Sequence, residues 1–163
     1  MSELSALTWR HLVESDHEPV LTTLSAWSGG RDMHALLPRL FFSHFSSTSL
    51  IVTDADGTAA GFIIAFVSQT HPDTGYIHFV WVSPQLRRHG LAGQMYDRVF
   101  TLLRERGCVR VEAVTIPENA GSLAFHEHMG FRAKGTGGSP FEAPIAPDHA
   151  DPGQHRVVLV RVL

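Results

Sequence analysis

A strand, a turn, a helix and a second strand follow one another in the middle of the chain, and this order constrains the fold more than any other feature. The first segment, "GYIHFVWVS" (75–83), is apolar on both faces, and "CVRVEAVTI" (108–116) alternates like a strand. Between them an apolar stripe repeats at helical spacing, at Leu91, Met95, Val99, Leu102 and Leu103. This order predicts two parallel strands joined by a right-handed crossover. The first strand is then central and covered on both faces.

The remaining segments complete a mixed sheet of about seven strands flanked by about four helices, an α/β (α+β) fold. Asp56-Gly57 is a strong hairpin signal inside "SLIVTDADGTAAGFIIAFVSQ" (49–69). Alternation and turn residues predict further strands over 7–13, 131–135 and 154–163. Helical spacing and capping residues predict helices over 16–27, 32–45 (with a kink or break near Pro38), 91–106 and 119–130.

Composition narrows the class of protein. The 163 residues are expected to form a single domain, 1–163. A net charge of −3 gives no basic footprint for nucleic acid, and no apolar run is long enough to span a membrane. The single Cys108 suits a reducing compartment. The first residues, "MSELSALTWRHLVESDHE", lack the apolar core of a signal peptide, so we expect a cytoplasmic protein.

The turn after the central strand has the properties of an anion site. Glycines let the backbone approach a ligand closely, and the start of the next helix offers free N–H groups and the positive end of its dipole. Arg87 and Arg88 add positive charge, so the site suits a phosphate. The spacing is that of neither a P-loop nor the Gly-x-Gly-x-x-Gly of dinucleotide-binding folds, which disfavours a nucleotide-binding protein. The pattern in this turn is Arg87-x-x-Gly90-x-Ala92.

Two motifs together resemble the GNAT acetyltransferase superfamily. Arg87-x-x-Gly90-x-Ala92 is similar to motif A of that family, R/Q-x-x-G-x-G/A. The segment "NAGSLAFHEHMGF" (119–131) is similar to the second signature, N-x-x-S-x-x-F-Y-x-x-x-G-F. The resemblance covers about residues 49–135. It implies a GNAT fold and acetyl-CoA (coenzyme A) as the co-substrate.

The resemblance implies a set of residues that contact coenzyme A. The central strand would hold the pantetheine arm in a slot where it splays from strand 108–116, and the loop amides would hold the pyrophosphate. Asn119 would hydrogen-bond the cofactor or cap its helix, and Phe125 would flank the arm or pack in the core. The implied residues are Val80, Val82, Arg87, Arg88, His89, Gly90, Leu91, Ala92, Gly93, Asn119, Ser122 and Phe125.

The resemblance also implies an acid and a base. The family often has a tyrosine at the position of His126, as the acid that protonates the leaving thiolate. His126 either replaces that tyrosine, only hydrogen-bonds the thioester sulfur, or has no chemical role. The family often places Glu or His on the central strand as the base that deprotonates the amine. His78 is the first candidate and Glu112, on the neighbouring strand, is the second, unless they are ordinary strand residues.

We therefore expect an acyltransferase of the EC 2.3.1 class that moves acetyl from acetyl-CoA to a primary amine of a small molecule, by direct transfer in a ternary complex. Three alternatives stay open: a different acyl-CoA as donor, a protein N-terminus as acceptor, or a coenzyme A-binding module with weak or lost catalysis. The missing tyrosine is the main support for the last. We expect no nucleic-acid or membrane partner, and exposed strand edges near the C terminus are compatible with a homodimer.

Two further segments are assigned to the acceptor side. "SGGRD" (28–32) lies where the acceptor wall forms in the family. "GTGGSPFEAPIAPDHADPGQH" (135–155) holds four prolines and four glycines, which predicts a long irregular loop over the acceptor. Trp27, Phe41 and Phe42 either line an apolar pocket or pack in the core. The histidines and aspartates of the second segment lack the spacing of a metal site, so no metal is expected.

Overall fold

The computed structural model describes residues 6–28 and 32–163, which divide into two compact units. The first unit contains the described residues up to Phe66 together with Phe79–Val99. The second contains Val67–His78 and Phe100–Leu163. Within the described residues, no helix has both the length and the apolar character that crossing a membrane requires.

Eight strands and four α-helices lie within the described residues. The strands are β1 (Thr8–His11), β2 (Leu50–Thr53), β3 (Ala59–Val67), β4 (Thr74–Val82), β5 (Arg110–Thr115), β6 (Arg132–Ala133), β7 (Ile145–Asp151) and β8 (Gln154–Val162). The helices are α1 (His17–Trp27), α2 (Leu40–His44), α3 (Leu91–Glu105) and α4 (Ala120–His128). The seven predicted strands are all present, and β7 is an additional one. Strand β4 and helix α3 each begin in one unit and end in the other.

The helix predicted over 32–45 is shorter in the structure. Only α2 is α-helical, and the residues before it form a turn in which Leu36 N and Leu37 N donate to Met33 O (3.1 and 3.0 Å). Pro38 has no N–H to donate, and its ring disfavours helical backbone at the preceding residue. The predicted break near Pro38 is therefore confirmed, whereas the predicted helix before it is wrong.

The irregular loop predicted over 135–155 is also wrong in part, because it contains β7. This strand pairs antiparallel with β8, and Gly153, at φ 76°, lies in the turn between them. The register is irregular along the middle of β7, near Pro147. Proline is tolerated at such irregular edge positions although it cannot donate to a ladder. The proline and glycine content that suggests a loop therefore belongs partly to a distorted hairpin.

In the first unit the strands follow the order β1-β2-β3-β4, and β2 is antiparallel to both β1 and β3. Helix α1 covers one face, where its buried Leu21 and Leu24 join a core that includes Phe62 of β3. The preceding residue, Gly61, points to the other face, and the Met95 side chain of α3 lies 3.3 Å from a Cβ placed there. Helices α1 and α3 thus cover opposite faces of the sheet in this unit.

In the second unit the strands follow the order β4-β5-β8-β6, and β7 pairs with β8. The predicted parallel pairing is confirmed: Thr74–Ile77 of β4 runs parallel to Arg110–Ala113 of β5, and β8 is antiparallel to β5. Gly75 lies directly against α3, because a Cβ placed on it would be 2.5 Å from Leu103 Cδ1. A methyl group at this position would therefore force the buried Leu103 side chain to shift.

Substitution of Gly75 tests that close approach. Gly75→Ala is expected to lower the free energy of unfolding by about 1–3 kcal/mol, as overpacking of a core does, because Leu103 is fully buried and has no room to move aside. Urea unfolding measures the change. In a Leu103→Ala background, where a cavity replaces the contact, the same substitution should cost little. An equal cost in both backgrounds would show that this contact does not select the glycine.

Candidate functional site

The turn between β4 and α3, in the first unit, has an uncommon backbone conformation. Arg88 has a φ of 65° and Gly90 a φ of 83°, so both lie in the left-handed region that residues with a side chain rarely adopt. A Cβ placed on Gly90 would meet open space, so glycine serves the backbone conformation there and not the packing. Backbone held in this region often marks a functional turn.

The start of α3 leaves N–H groups that the helix does not use. Gln94 N donates to Gly90 O (3.1 Å), which is the first hydrogen bond of the helix. The helix itself therefore offers no acceptor to the N–H groups of Leu91, Ala92 and Gly93. The first turn contains no acidic side chain, and the positive end of the helix dipole lies here.

Two arginines accompany these N–H groups. Arg87 Nε donates to Val82 O (3.3 Å), so this side chain folds back against the end of β4. Arg87, Arg88 and His89 are all exposed. Guanidinium groups beside a helix N-terminus attract anions. The structure thus brings together the charges and the N–H groups that the predicted anion site requires.

Val80 and Val82 point away from α1. Their neighbour Phe79 stacks on Phe62 with ring centroids 5.6 Å apart, and Trp81 lies 6.1 Å from the same ring, so both aromatic side chains lie on the α1 face. Side chains alternate along a strand, so the two valines face the other side. Their expected contacts use backbone groups and stay a prediction.

Asn119 caps helix α4 in the second unit. Its Oδ1 accepts a hydrogen bond from Ser122 N (3.0 Å), which satisfies one of the unused N–H groups at the helix start. Asn119 is exposed, whereas Ser122 and Phe125 are half-buried. The capping role is confirmed, and the contacts of these three residues with coenzyme A stay a prediction.

His126, at the tyrosine position of the second signature, is buried on α4. Its Nδ1 lies 2.8 Å from Ser122 O. A carbonyl oxygen only accepts, so Nδ1 carries the hydrogen and the neutral ring keeps Nε2 as an acceptor. Burial lowers the pKa of His126 below its usual value, and the hydrogen bond to Ser122 opposes this only in part. The ring is therefore mainly neutral at neutral pH.

Two polar side chains share one face of the sheet in the second unit. Tyr76 of β4 pairs with Glu112 of β5, so these two side chains point the same way. Lys134 Nζ lies 2.7 Å from Glu112 Oε1 and holds that carboxylate in an ion pair. Burial and then the charge of Glu112 raise the pKa of Tyr76, against a smaller effect of Arg156. The phenol therefore keeps its proton at neutral pH.

Helix α4 covers the opposite face of that sheet. Gly75 pairs with Val111, and Val111 pairs with Arg161 of β8, so these residues point to the face that lies opposite Tyr76. The Arg161 guanidinium lies 4.1 Å from the Phe100 ring centroid and donates to Met129 O (2.9 Å), directly after α4. The end of α4 is thereby tied to the face that carries Arg161.

The candidate catalytic side chains therefore lie on different elements of the second unit. Glu112 of β5 lies on one face with Tyr76, and His78 follows Tyr76 by two residues on β4. His126 lies on α4, with its ring centroid 5.0 Å from that of Phe131. Tyr76 is not among the site residues predicted from the sequence. Its pairing with Glu112 depends on strand register, which the sequence does not show.

A pocket of about 240 Å³ lies in the first unit between α1, the turn before α2, and β4. Trp27 lines this pocket, which agrees with the first of its two predicted roles, lining an apolar pocket. Phe42 is fully buried in the core, and Phe41 packs against that core, so neither lines the pocket. Of the expected acceptor wall, 28–32, residues 29–31 lie outside the described residues.

The chain is similar in sequence to known acetyltransferases. The sequence pattern of the Acetyltransferase (GNAT) family matches residues 7–131. An L-2,4-diaminobutyric acid acetyltransferase of Streptomyces coelicolor is 30% identical over 131 residues, which cover 74% of this chain and 77% of that protein. A protein of the same name from Nocardia farcinica is 29% identical over 110 residues, which cover 66% of this chain and 57% of that protein.

The fold is similar to that of a solved acetyltransferase. A GCN5-related N-acetyltransferase from Kribbella flavida matches with a TM-score of 0.71 at 15% sequence identity, over 98% of this chain and 99% of that chain. At this identity the match shows the fold, and it confirms the GNAT fold expected from the two motifs. Because the family pattern also extends over most of the sequence, this chain belongs to the Acetyltransferase (GNAT) family.

Proposed function

We propose that this chain transfers the acetyl group of acetyl-CoA to the primary amine of a small molecule within a ternary complex. Members of the family use acetyl-CoA as the acetyl donor. The turn between β4 and α3 carries the proposal, because it combines left-handed backbone, unused helix N–H groups and two exposed arginines. These groups suit the pyrophosphate of coenzyme A, which is an anion of high charge.

In this proposal the residues of the two motifs bind different parts of acetyl-CoA. Arg87, Arg88 and the N–H groups that start α3 would hold the pyrophosphate, and backbone groups of Val80 and Val82 would hold the pantetheine arm. Asn119 contributes its amide N–H groups, because its Oδ1 already accepts from Ser122 N. The half-buried Ser122 and Phe125 would flank the arm.

The reaction requires one proton acceptor and one proton donor. An alkylammonium has a pKa of about 10, so the acceptor amine must lose a proton before its nitrogen can attack. The attack forms a nitrogen–carbon bond at the thioester carbonyl and breaks the carbon–sulfur bond. The leaving sulfur then takes up a proton, so the base acts at the attacking nitrogen and the acid acts at the leaving sulfur.

We assign the base to His78, acting directly or through a water molecule. Glu112 is less suitable because its carboxylate is paired with Lys134 at 2.7 Å, and protonation would remove the charge that holds this pair. Tyr76 keeps its proton at neutral pH and cannot serve as a base. His78 is half-buried on β4, and a neutral imidazole accepts a proton near neutral pH.

We assign the acid to His126. Its place in the second signature supports this role, because His126 stands at the position of the tyrosine that often serves as the acid in the family. Since Nδ1–H is used by the Ser122 carbonyl, donation would come from Nε2, which carries a hydrogen only in the imidazolium form. Burial makes that form scarce at neutral pH, so the acid step should become less effective as the pH rises.

The acceptor is proposed to be a small molecule. The names of the two relatives describe acetylation of L-2,4-diaminobutyric acid, a small amine. The pocket of about 240 Å³ beside β4 is also small, which favours a compact acceptor over a folded protein.

Charge reversal at the turn tests donor binding. Arg87→Glu combined with Arg88→Glu should weaken acetyl-CoA binding by at least about tenfold, because each lost arginine removes a charge-assisted bond to phosphate. Isothermal titration measures it, with ATP and NAD as comparison ligands. The control is Arg104→Glu with Arg106→Glu, which makes the same charge change at exposed positions near the other end of α3. Equal weakening by both pairs would remove the support for this turn.

Substitution of the two base candidates tests the assignment to His78. His78→Gln should lower kcat by about a hundredfold or more, within the range of general-base catalysis, and Glu112→Gln should lower it much less. Isothermal titration should show unchanged acetyl-CoA affinity in both variants. The opposite order would assign the base to Glu112. Slow background rates that neither His78→Ala nor His126→Phe changes would favour a coenzyme A-binding module instead.

The pH dependence of a ratio of two kcat values tests the assignment of the acid to His126. The ratio of kcat for the wild type to kcat for His126→Phe should be largest near about pH 5 and fall toward one by about pH 8, because the imidazolium fraction falls as the pH rises through the lowered pKa. Taking the ratio cancels every pH effect that the two proteins share. A ratio that does not change with pH would rule out proton donation by His126.

Because the pKa of His126 is lowered in the folded protein, the kcat ratio needs a control for stability. The unfolded chain binds a proton at this histidine below about pH 6.5, whereas the folded chain resists it, so the wild type loses stability as the pH falls through that window. Urea unfolding of both proteins at each pH separates this loss from the change in kcat. His126→Phe should show a smaller loss over the same window.

A further inference from the structure

We propose that the acceptor is an amine with an apolar, ring-sized body and no second charged group, and that the pocket beside β4 holds this body. The inference rests on the proposed function and names its substrate class. Six apolar side chains line the pocket: Leu24, Trp27, Met33, Leu36, Phe79 and Trp81. Such a lining stabilises an apolar group by removing its surface from water.

The β4 wall of the pocket is rigid. Phe79 stacks on Phe62 with the ring planes 13° apart, and Trp81 packs against the same ring at 6.1 Å. Phe62 is fully buried in the core. Two aromatic side chains held in this way offer a preformed flat surface, and aromatic rings pack favourably on such a surface.

The wall from the turn before α2 is also held in place. Leu36 N and Leu37 N both donate to Met33 O, which closes the turn that carries two of the lining residues. The His17 ring, buried at the start of α1, donates from Nε2 to Leu37 O (2.9 Å). Leu37 itself is fully buried, so the turn is fastened to α1 and to the core.

Trp27 closes the pocket from the end of α1 and is only half covered. It lines the pocket while 49% of its surface is exposed. A tryptophan left this open at a pocket wall gains a large apolar contact when a ligand arrives. Trp27 is therefore the lining residue whose removal should affect the ligand most and the fold least.

The charges of the lining residues determine which amine the pocket can hold. Among the described residues that line the pocket, Arg87 is the only one with a charge, and none is acidic. Its Nε donates to Val82 O, and the proposed function assigns the remaining N–H groups of its guanidinium to the pyrophosphate. A carboxylate or a second ammonium in this pocket would lose water without gaining a partner, which costs several kcal/mol. 2,4-Diaminobutyric acid carries both groups, so it is a poor fit.

The volume limits the size of the apolar body. A cavity of about 150 Å³ lined by apolar side chains is large enough to bind benzene. At about 240 Å³, this pocket has room for one ring and a short alkyl chain that presents the amine. A fused system with long substituents would exceed it.

Acetylation of three amines tests the inference, with mass detection of the product. The probes are 2-phenylethylamine, ethylamine and 2,4-diaminobutyric acid. We expect kcat/KM for 2-phenylethylamine to exceed both others by about tenfold or more, because each buried methylene already contributes about that factor. Trp27→Ala should reduce the preference for 2-phenylethylamine over ethylamine by about tenfold. Trp9→Ala is the matched control, because Trp9 packs against Arg98 and does not line the pocket.

A second substitution makes the charge argument testable. Leu36→Asp should lower kcat/KM for 2-phenylethylamine and raise it for 1,4-diaminobutane, because the new carboxylate can pair with the second ammonium. Leu36→Asn is the neutral control of the same shape and should not favour the diamine. Leu36 is exposed by 47%, so both variants should fold.

The outcomes separate this inference from the proposed function. If acetyl-CoA does not bind, the proposed function fails. If acetyl-CoA binds but 2,4-diaminobutyric acid is the best substrate, or Trp27→Ala leaves the preference unchanged, only the inference is wrong. It is also wrong if Trp27→Ala weakens acetyl-CoA binding, because the pocket would then belong to the donor.

Discussion

The change of direction between β4 and α3 is the constraint on which the rest of the structure depends. The chain makes it with left-handed backbone at Arg88 and Gly90, and α3 then begins with its N–H groups unused. In the first unit α3 packs over Gly61, and in the second it packs over Gly75. One turn therefore positions a helix that each unit needs for its core, and the same turn forms the proposed anion site.

The two faces of the sheet in the second unit carry different side chains. Tyr76 and Glu112 lie on one face, while α4 and Arg161 lie on the other. Burial keeps His126 neutral and its Nδ1–H is held by a carbonyl, so its proton is available mainly in acid. Replacement of the family's usual tyrosine by this histidine therefore makes the proposed acid step dependent on pH.

The pocket of the first unit is the basis of the inference about the acceptor. Relatives named for L-2,4-diaminobutyric acid share about 30% of their residues with this chain over the matched region. The lining described here offers aromatic and aliphatic side chains, with a single charged one already engaged. Substrate choice depends on such linings and not on the fold, which is why the family name does not identify the acceptor.

The sequence alone determined the features that depend on neighbouring residues. Hydrophobic period, turn glycines and Asn119 as a cap were enough for seven strands, the crossover and the position of the turn between β4 and α3, because these signals act over a few residues. Only the tertiary structure decided the turn before Pro38, strand β7, the pairing of Tyr76 with Glu112 and the neutral state of His126. Register, burial and packing join residues that are far apart in the sequence, so no local pattern reports them.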